Sequence, residues 1–426
     1  MLKQKRFIIV ALMLALSIAL AACDRKGTGE AGKGAVADFS SPQRLSTANT
    51  DAAEPAIAAA GDGQIYVAWV EHAAKKQADV LLTKLDGSGK QAFPPVRVNP
   101  NAGEATAWRG DPPTVAVAKD GAVYVGWTAR AAAEGHATNI FLSASRDGGR
   151  TFEPPVKIND DKTEVVHGMH SLAVDERGRI FIAWLDERSV KMDESGKPDE
   201  HQMEANREVY AASSEDGGRS FSQNRLVARE ACPCCKTAVT VSADGRVYVA
   251  WRQVLPGNYR HIAVSSSTDG GKTFSTPVIA SDDKWMIAGC PVSGPALFTA
   301  SDSSLRVLWY SAGEAGQPGL YWSESKDGGK SFSSRKALAE GAAFGNPQLL
   351  SGPGNHLTAI WESNQTGASK IIVARLDDRA TPAMTEIPAQ GQLPSAAATR
   401  EQLYVTYITK ENEQRSIWLV RAKATA

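Results

Sequence analysis

The chain has 426 residues, of which 42% are apolar, and its 47 basic and 47 acidic side chains balance. This length allows one large domain or two ordinary ones, and the balanced charge excludes the overall basic field that predicts nucleic-acid binding. No glycine-rich phosphate loop stands at a strand-to-helix junction, so nothing in the sequence indicates a nucleotide site.

The first 22 residues have the features of a targeting segment rather than of a folded element. Three basic residues near the start precede an apolar run over residues 7–20, which is too short for a comfortable membrane span. Leu20-Ala-Ala-Cys23 then matches the bacterial lipobox. We therefore expect residues 1–22 to be a signal peptide and the Cys23 thiol to be lipidated by acyl chains. An ordinary secretion signal is the alternative.

Residues 23–38 are rich in glycine, alanine and charge, which predicts a flexible tether spanning about 20 Å. Asp24 after the lipidated cysteine resembles the inner-membrane retention signal of bacterial lipoproteins. We expect a lipid-anchored protein of the cell envelope, at the periplasmic face of the inner membrane, where disulfides can persist.

Residues 39–424 repeat one pattern, and each copy predicts a four-stranded sheet. A polar or proline start leads to a short alternating run, a turn and a second strand that ends in an aromatic residue, as in Ile65-Tyr-Val-Ala-Trp69. A third strand follows each pair, and a fourth follows in most copies. Seven copies predict a single all-β domain, a seven-bladed β-propeller. The copies are 55–69, 113–127, 170–184, 237–251, 295–309, 347–361 and 394–407.

The seventh copy ends without a fourth strand. Ser41-Pro-Gln-Arg-Leu-Ser46 resembles the fourth strands of the other copies, so we expect this N-terminal strand to close the last blade. Such a pairing removes the open edge that a ring of sheets otherwise leaves.

Four copies carry a Ser-x-Asp-Gly-Gly-x-(Ser/Thr)-Phe turn between the third and fourth strands, at 145–152, 214–221, 267–274 and 325–332. These turns resemble the Asp-box (BNR) repeats of sialidases and related propellers. The resemblance implies a propeller, with the six-bladed sialidase type as the alternative to seven blades. It also places the Asp boxes on the face opposite an active site.

The Asp-box carboxylates are expected to be structural. Each can accept hydrogen bonds from the backbone of its own turn, and the two glycines supply positive φ angles. The residues concerned are Asp147, Asp216, Asp269 and Asp327.

The residues that carry chemistry fall in three short stretches. Cys232 lies 19 residues before Trp251, and Cys290 lies 19 before Trp309, so both hold the same register in neighbouring blades. We expect the three stretches to converge on one loop face. Their candidate ligands or bridging residues are Cys232, Cys234, Cys235, Cys290, His167, Met169 and His170.

Three kinds of chemistry fit these side chains. Disulfides can staple the loops, and a bridge to Cys290 is easier than one between Cys234 and Cys235, whose Cα atoms are about 3.8 Å apart. Thiolates, a thioether and imidazoles suit copper or zinc. A redox-active dithiol is the third possibility.

The resemblance also implies a second function class, glycoside hydrolysis. Sialidases need an arginine triad for the sugar carboxylate, because arginine binds carboxylates in a bidentate manner. The Phe/Tyr-Arg-Ile-Pro segment typical of that family is absent here, and register assembles no triad. The weak catalytic candidates are Arg109, Asp111, Arg188, Arg252 and Tyr259.

The favoured hypothesis is a non-hydrolytic binding protein with a Cys/His/Met metal or redox site. An exo-sialidase or related hydrolase is one alternative. A disulfide-stapled platform for a protein or glycan partner is the other, and whether the chain is an enzyme is left open.

Overall fold

The computed structural model describes residues 37–73, 77–106, 111–131, 135–190, 207–287, 289, 291–341, 344–365, 367–376 and 382–424. Regular structure in these residues is almost wholly β-strand, with one 3-10 turn at Pro353–Asn355. Within the same residues, no helix has the length and apolarity needed to cross a membrane. The described fold is therefore all-β, as the sequence predicts.

Most strands form successive antiparallel groups of four, here called sheets 1 to 7. The alternating β-branched and aromatic runs of the sequence become the second and third strands of each group. Two N-terminal strands, β1 (Ala37–Phe39) and β2 (Gln43–Arg44), precede sheet 1. Sheet 1 contains β3 (Asp51–Ala59), β4 (Ile65–His72), β5 (Ala78–Leu85) and β6 (Val96–Arg97). Sheet 2 contains β7 (Thr114–Val117), β8 (Val123–Arg130), β9 (Thr138–Ser145) and β10 (Val156–Lys157).

Sheets 3 and 4 follow in the same order and are joined by the pairing of Ala231 with Gln253. Sheet 3 contains β11 (His167–Val174), β12 (Ile180–Asp186), β13 (Arg207–Ser214) and β14 (Arg225–Ala231). Sheet 4 contains β15 (Ala238–Val241), β16 (Val247–Leu255), β17 (Tyr259–Ser267) and β18 (Val278–Ile279).

The last three sheets complete the described chain. Sheet 5 contains β19 (Ala296–Thr299), β20 (Leu305–Ser311), β21 (Gly319–Ser325) and β22 (Lys336–Glu340). Sheet 6 contains β23 (Phe344–Ser351), β24 (Leu357–Ser363), β25 (Lys370–Leu376) and β26 (Ala383–Gln390). Sheet 7 contains β27 (Gln392–Ala398), β28 (Gln402–Glu411) and β29 (Gln414–Ala424).

The N-terminal strands complete sheet 7. In β2, Gln43 pairs with Leu419 and Arg44 with Trp418, so the predicted closing strand is observed. A second strand, β1, pairs with the end of β29 and begins at Ala37, inside the range predicted as tether. The first strand of each sheet contacts the first strand of the next, and β27 contacts β3.

The second strands form the core of each sheet. They are buried on both faces because each lies in mid-sheet with a neighbouring sheet against it, which explains their nearly continuous apolar sequence. The repeated aromatic residue fills the space between sheets, and truncating one such tryptophan costs about 3–5 kcal/mol. The fully buried members are Trp69, Trp127, Trp184, Trp251, Trp309, Trp361 and Tyr407.

The Asp boxes form self-bonded turns, as predicted from their composition. Asp147 accepts hydrogen bonds from the backbone of Arg150 and Thr151, both at 3.0 Å, and from two side-chain hydroxyl groups. Asp216, Asp269 and Asp327 make the same contacts. These turns join the third strand to the fourth. They therefore lie at the opposite end of each sheet from the loops that lead into the next first strand.

Candidate thiol site

The cysteine loop, residues 232–237, leads from β14 in sheet 3 to β15 in sheet 4. At its start, the backbone amide of Cys232 donates to the carbonyl of Arg252 at 2.8 Å. At its end, Thr237 donates from its backbone amide and its hydroxyl to the carbonyl of Met169, at 3.1 and 3.0 Å. Both ends of the loop are thus fixed to neighbouring strands, which holds the three cysteines in place.

The loop gathers three sulfur atoms. The Sγ atoms of Cys232, Cys234 and Cys235 lie within 4.8 Å of one another, and those of Cys232 and Cys234 are 3.8 Å apart. The three residues are 1%, 5% and 0% exposed. Cys232 and Cys235 are free, whereas Cys234 takes part in a disulfide. The partner of Cys234 therefore lies outside the described residues, as do the predicted bridging residue Cys290 and the predicted lipidation site Cys23.

The two free cysteines differ in acidity. A hydrogen bond from Cys235 and the charges of Arg260 and Arg252 together lower the pKa of the Cys232 thiol to about 6, against the effect of burial. Burial raises the pKa of Cys235, and the neighbouring Cys232 adds to this effect. At neutral pH the pair is a thiolate at Cys232 and a thiol at Cys235.

Two guanidinium groups are fully buried beside this pair. Arg252 donates from Nε and Nη2 to the carbonyl of Ser293, at 3.2 and 2.8 Å, and from Nη2 to that of Tyr310 at 2.9 Å. Its guanidinium stacks on the Trp285 ring at 4.7 Å. These described partners are neutral, so the thiolate of Cys232 supplies negative charge that a buried cation needs. Arg260, the second buried cation, donates to Asn258 at 2.7 Å.

Met169 joins the sulfur cluster, but the two histidines do not. Met169 packs in the same buried group as the three cysteines. His167 lies 2.6 Å from the Thr138 carbonyl through Nδ1 and 2.9 Å from Asp161 through Nε2. His170 lies 2.9 Å from Asp111 through Nδ1. Among the described residues, the group with metal-ligand spacing contains the three cysteines alone.

The four weak hydrolase candidates that lie in the described part of the chain are not gathered into one site. Arg188 binds the Asp186 carboxylate through Nε and Nη2, at 2.9 and 2.7 Å, and stacks on Tyr210. Arg252 is enclosed beneath the cysteine loop, and Tyr259 is 38% exposed. Asp111 is engaged by His170. Arg109 lies outside the described residues.

A cavity of about 330 Å³ lies where the first strands begin. Of the three described cysteines, Cys234 alone lines it, beside Lys236 and Glu54. Burial lowers the pKa of Lys236 to about 8, partly opposed by the charge of Asp111. Glu54 is bound by His72 at 3.1 Å and by Arg415 at 3.3 Å.

Sequence reasoning did not select Lys236 or Glu54 as site residues. For both a signal was present, because each stands directly before the first position of a repeat copy. Six of the seven positions that stand directly before a repeat copy line the cavity, so the register of the repeats marks such positions as candidate lining residues.

A close approach of two loops encloses the cluster. A Cβ atom on Gly294 would lie 2.2 Å from the carbonyl oxygen of Lys236, so only glycine fits there. The backbone of Ser293, one residue earlier, hydrogen-bonds to Cys235. The segment before β19 thus covers the cysteine loop.

Comparison with known proteins identifies the family. The BNR repeat-like domain matches residues 63–345, which is more than half of the chain. The chain belongs to the BNR repeat-like domain family. The predicted Asp-box resemblance is confirmed at this level.

Solved structures share the fold of this BNR-repeat protein at low identity. A protein of unknown function from Dyadobacter fermentans is 16% identical, with a TM-score of 0.55 over 92% of this chain and 100% of its own. A PL25 ulvan lyase is 10% identical, with a TM-score of 0.55 over 88% and 95%. Polysaccharide lyase Uly1 is 12% identical, with a TM-score of 0.52 over 88% and 90%. No curated protein matches the chain.

Proposed function

We propose that this BNR-repeat protein is a lipid-anchored envelope protein whose cysteine loop is a thiol redox centre. The observation that carries the proposal is the buried pair of Cys232 and Cys235, a thiolate and a thiol, beside Cys234 in its disulfide. A structural staple needs only Cys234 and its partner. It gives no reason for two further cysteines or for two buried arginines around one of them.

We also propose that the seven sheets form a closed seven-bladed propeller. Seven strand groups, the sequential contacts of their first strands and the contact of β27 with β3 support this geometry. The pairing of β1 and β2 with β29 supplies the outer strand that sheet 7 lacks. A six-bladed arrangement leaves one of the seven groups unassigned.

The partner of Cys234 is proposed to be Cys290. The chain has five cysteines, of which Cys232 and Cys235 are free. If Cys23 carries the lipid anchor at the membrane face, Cys290 is the residue that remains. This pairing joins the loops that lead into sheets 4 and 5.

Copper or zinc binding stays a prediction and is less well supported. Three sulfur ligands would require Cys234 as a thiolate, whereas it is oxidised in this structure. The histidines predicted as further ligands bind carboxylates or carbonyls instead. Glycan cleavage is also less well supported, because the described arginine candidates do not converge. A glycan or protein partner for the loop face remains a proposal.

The test is a thiol count combined with disulfide mapping and elemental analysis of the full chain purified in detergent. We expect two alkylatable thiols and one disulfide after denaturation, no stoichiometric copper or zinc, and reversible loss of both thiols with a small-molecule disulfide. Cys232→Ser should abolish that reversible loss. Thiols that stay unreacted in the folded protein, or one bound metal ion per chain, would contradict the redox proposal.

A further inference from the structure

The attacking and attacked atoms of a disulfide exchange lie side by side in the cysteine loop. The Sγ of Cys232 is 3.8 Å from the Sγ of Cys234, which already belongs to a disulfide. The backbone amide of Cys234 also hydrogen-bonds to the Cys232 sulfur and so holds it near its neighbour. A thiolate beside a disulfide sulfur is the arrangement from which exchange starts.

We propose that Cys232 is the nucleophile of an internal thiol–disulfide exchange in which the disulfide at Cys234 moves to Cys232. This inference rests on the proposed redox function and adds the direction of the transfer. Cys232 supplies the electron pair of the new Cys232–Cys234 bond. The bond between Cys234 and its present partner breaks, and that electron pair leaves on the partner sulfur as a thiolate. The reactants and the products each contain one disulfide and one thiolate, so the exchange needs no external oxidant or reductant.

The chain geometry permits the product. Cα atoms two positions apart are separated by at most about 7 Å, and disulfides span about 4.4–6.8 Å. The reactants are also enclosed, since Cys232 is 1% exposed. Exchange between two groups held in contact proceeds without the entropy loss of bringing them together.

The charges around Cys232 favour its role as nucleophile over Cys235. Arg252 and Arg260 stabilise the Cys232 thiolate, and the charge of Arg207 also interacts with it. Arg207 is itself ion-paired with Glu187. Cys235 keeps its proton and donates it in a hydrogen bond to Cys232. The roles of the three cysteines are therefore distinct: Cys232 attacks, Cys234 is attacked and Cys235 supports the anion.

A mass measurement can follow the exchange because one tryptic peptide contains all three cysteines. Trypsin releases residues 230–236, Glu-Ala-Cys-Pro-Cys-Cys-Lys, after cleavage at Arg229 and Lys236. While Cys234 is bonded to its original partner, this peptide is cross-linked to a second peptide. After exchange it is released alone, with one internal disulfide and one alkylated cysteine.

The experiment uses the full chain in detergent, held without added thiol, quenched with acid, alkylated at low pH and digested. We expect both peptide forms in the wild type, and the internal-disulfide form to accumulate faster as the pH is raised toward about 6, where Cys232 ionises. Cys232→Ser should give the cross-linked form alone. Arg225→Met, on the exposed face of β14 and outside the cysteine loop, is the matched control and should retain both forms.

The outcomes separate this inference from the proposed function. If small disulfides oxidise the thiols reversibly but the internal-disulfide peptide never forms in the wild type, the exchange is wrong and the redox centre stands. If the peptide with the internal disulfide appears but the thiols do not react with small-molecule disulfides, the exchange is supported and the redox function is contradicted. An internal form that persists in a folded Cys232→Ser chain overturns the role of Cys232. If the Cys232→Ser variant fails to fold, an exchange rate in the wild type that does not depend on pH also contradicts the role of Cys232 as nucleophile.

Discussion

The carboxylate of Asp111 lies 2.9 Å from Nδ1 of His170, although 59 positions separate the two residues in the chain. The same carboxylate accepts a hydrogen bond from the backbone amide of His170 at 3.1 Å. The pKa of Asp111 is lowered although burial opposes this, because His170 and Lys236 favour the charged form. This carboxylate, which is 10% exposed, thus ties the loop before β7 to β11 and faces the lysine of the cysteine loop.

The first prediction concerns the charge of Asp111. We expect Asp111→Asn to lower the free energy of unfolding by about 1–3 kcal/mol, because the partners are kept but lose the anion. The folded-state pKa is depressed, so this stabilisation is present above pH 4 and is lost as the pH falls below that value. Urea unfolding across this range measures the effect.

A matched control for Asp111→Asn is Asp62→Asn at an exposed turn. The control should change the free energy of unfolding by only a few tenths of a kcal/mol. Equal losses in the two variants would show that the buried position of Asp111 gives it no special role.

The second prediction concerns the acidity of Cys232. We expect thiolate ultraviolet absorbance to reveal one thiol titrating near pH 6, and Cys232→Ser to remove it. Arg252→Met should raise this pKa toward the ordinary value, because a positive charge beside the thiolate is lost. Arg252→Lys keeps the positive charge and should therefore change the pKa of Cys232 less than Arg252→Met does.

The control for this titration is Arg225→Met on the exposed face of β14, which should leave the acidity of Cys232 unchanged. Because the folded-state pKa of Cys232 is depressed, its ionisation stabilises the fold fully above about pH 9. This contribution declines between about pH 9 and pH 6 and is absent below pH 6. A wild-type titration near pH 9 would contradict the assigned thiolate.

The sequence was sufficient for the repeat structure but not for the direction of every side chain. Each copy has a local pattern that specifies strand, turn and aromatic core residue, and the structure has strands at those positions. Cys232, Cys234 and Cys235 lie together on the loop that leads into sheet 4, whereas Cys290 lies outside the described residues. The histidines were expected to accompany them, but β11 contains a bulge between Gly168 and Ser171, with Met169 at φ 56°.

The bulge explains why the ligand prediction was incomplete. A bulge changes the alternation of side chains along a strand. Met169 thereby packs in the buried apolar cluster that also contains the three cysteines, while His170 faces Asp111. A sequence pattern predicts the sheet in which a residue lies and its position along the strand. The face of the sheet to which its side chain points also depends on bulges, which the pattern does not reveal. The full burial of Arg252 was not expected for a related reason, since charged residues in strands usually lie at the surface.

The third prediction concerns the junction of the first and last sheets. Arg415 in β29 donates to Asp51 in β3 at 2.7 Å and to the buried Glu54 at 3.3 Å. We expect Arg415→Met to lower the free energy of unfolding by about 1–3 kcal/mol, allowing for the partial exposure of the pair. Thermal and urea unfolding measure this change. Arg400→Met, at an exposed position, should have little effect, and an equal loss there would remove the special role of Arg415.

The last prediction separates structural carboxylates from functional ones. Hydrogen bonds from Thr151, Ser145 and the turn backbone lower the pKa of Asp147 to about 2, although burial opposes the shift. We expect Asp147→Ala to destabilise the fold by about 1 kcal/mol, because the turn is largely exposed and water replaces part of what is lost. The folded-state pKa is depressed, so this stabilisation is present above pH 4 and disappears as the pH falls toward 2. The thiol count, the disulfide map and the titration of Cys232 should be unchanged in this variant, since the Asp-box turns lie at the other end of the sheets. A change in thiol chemistry without a change in unfolding would instead give Asp147 a functional role.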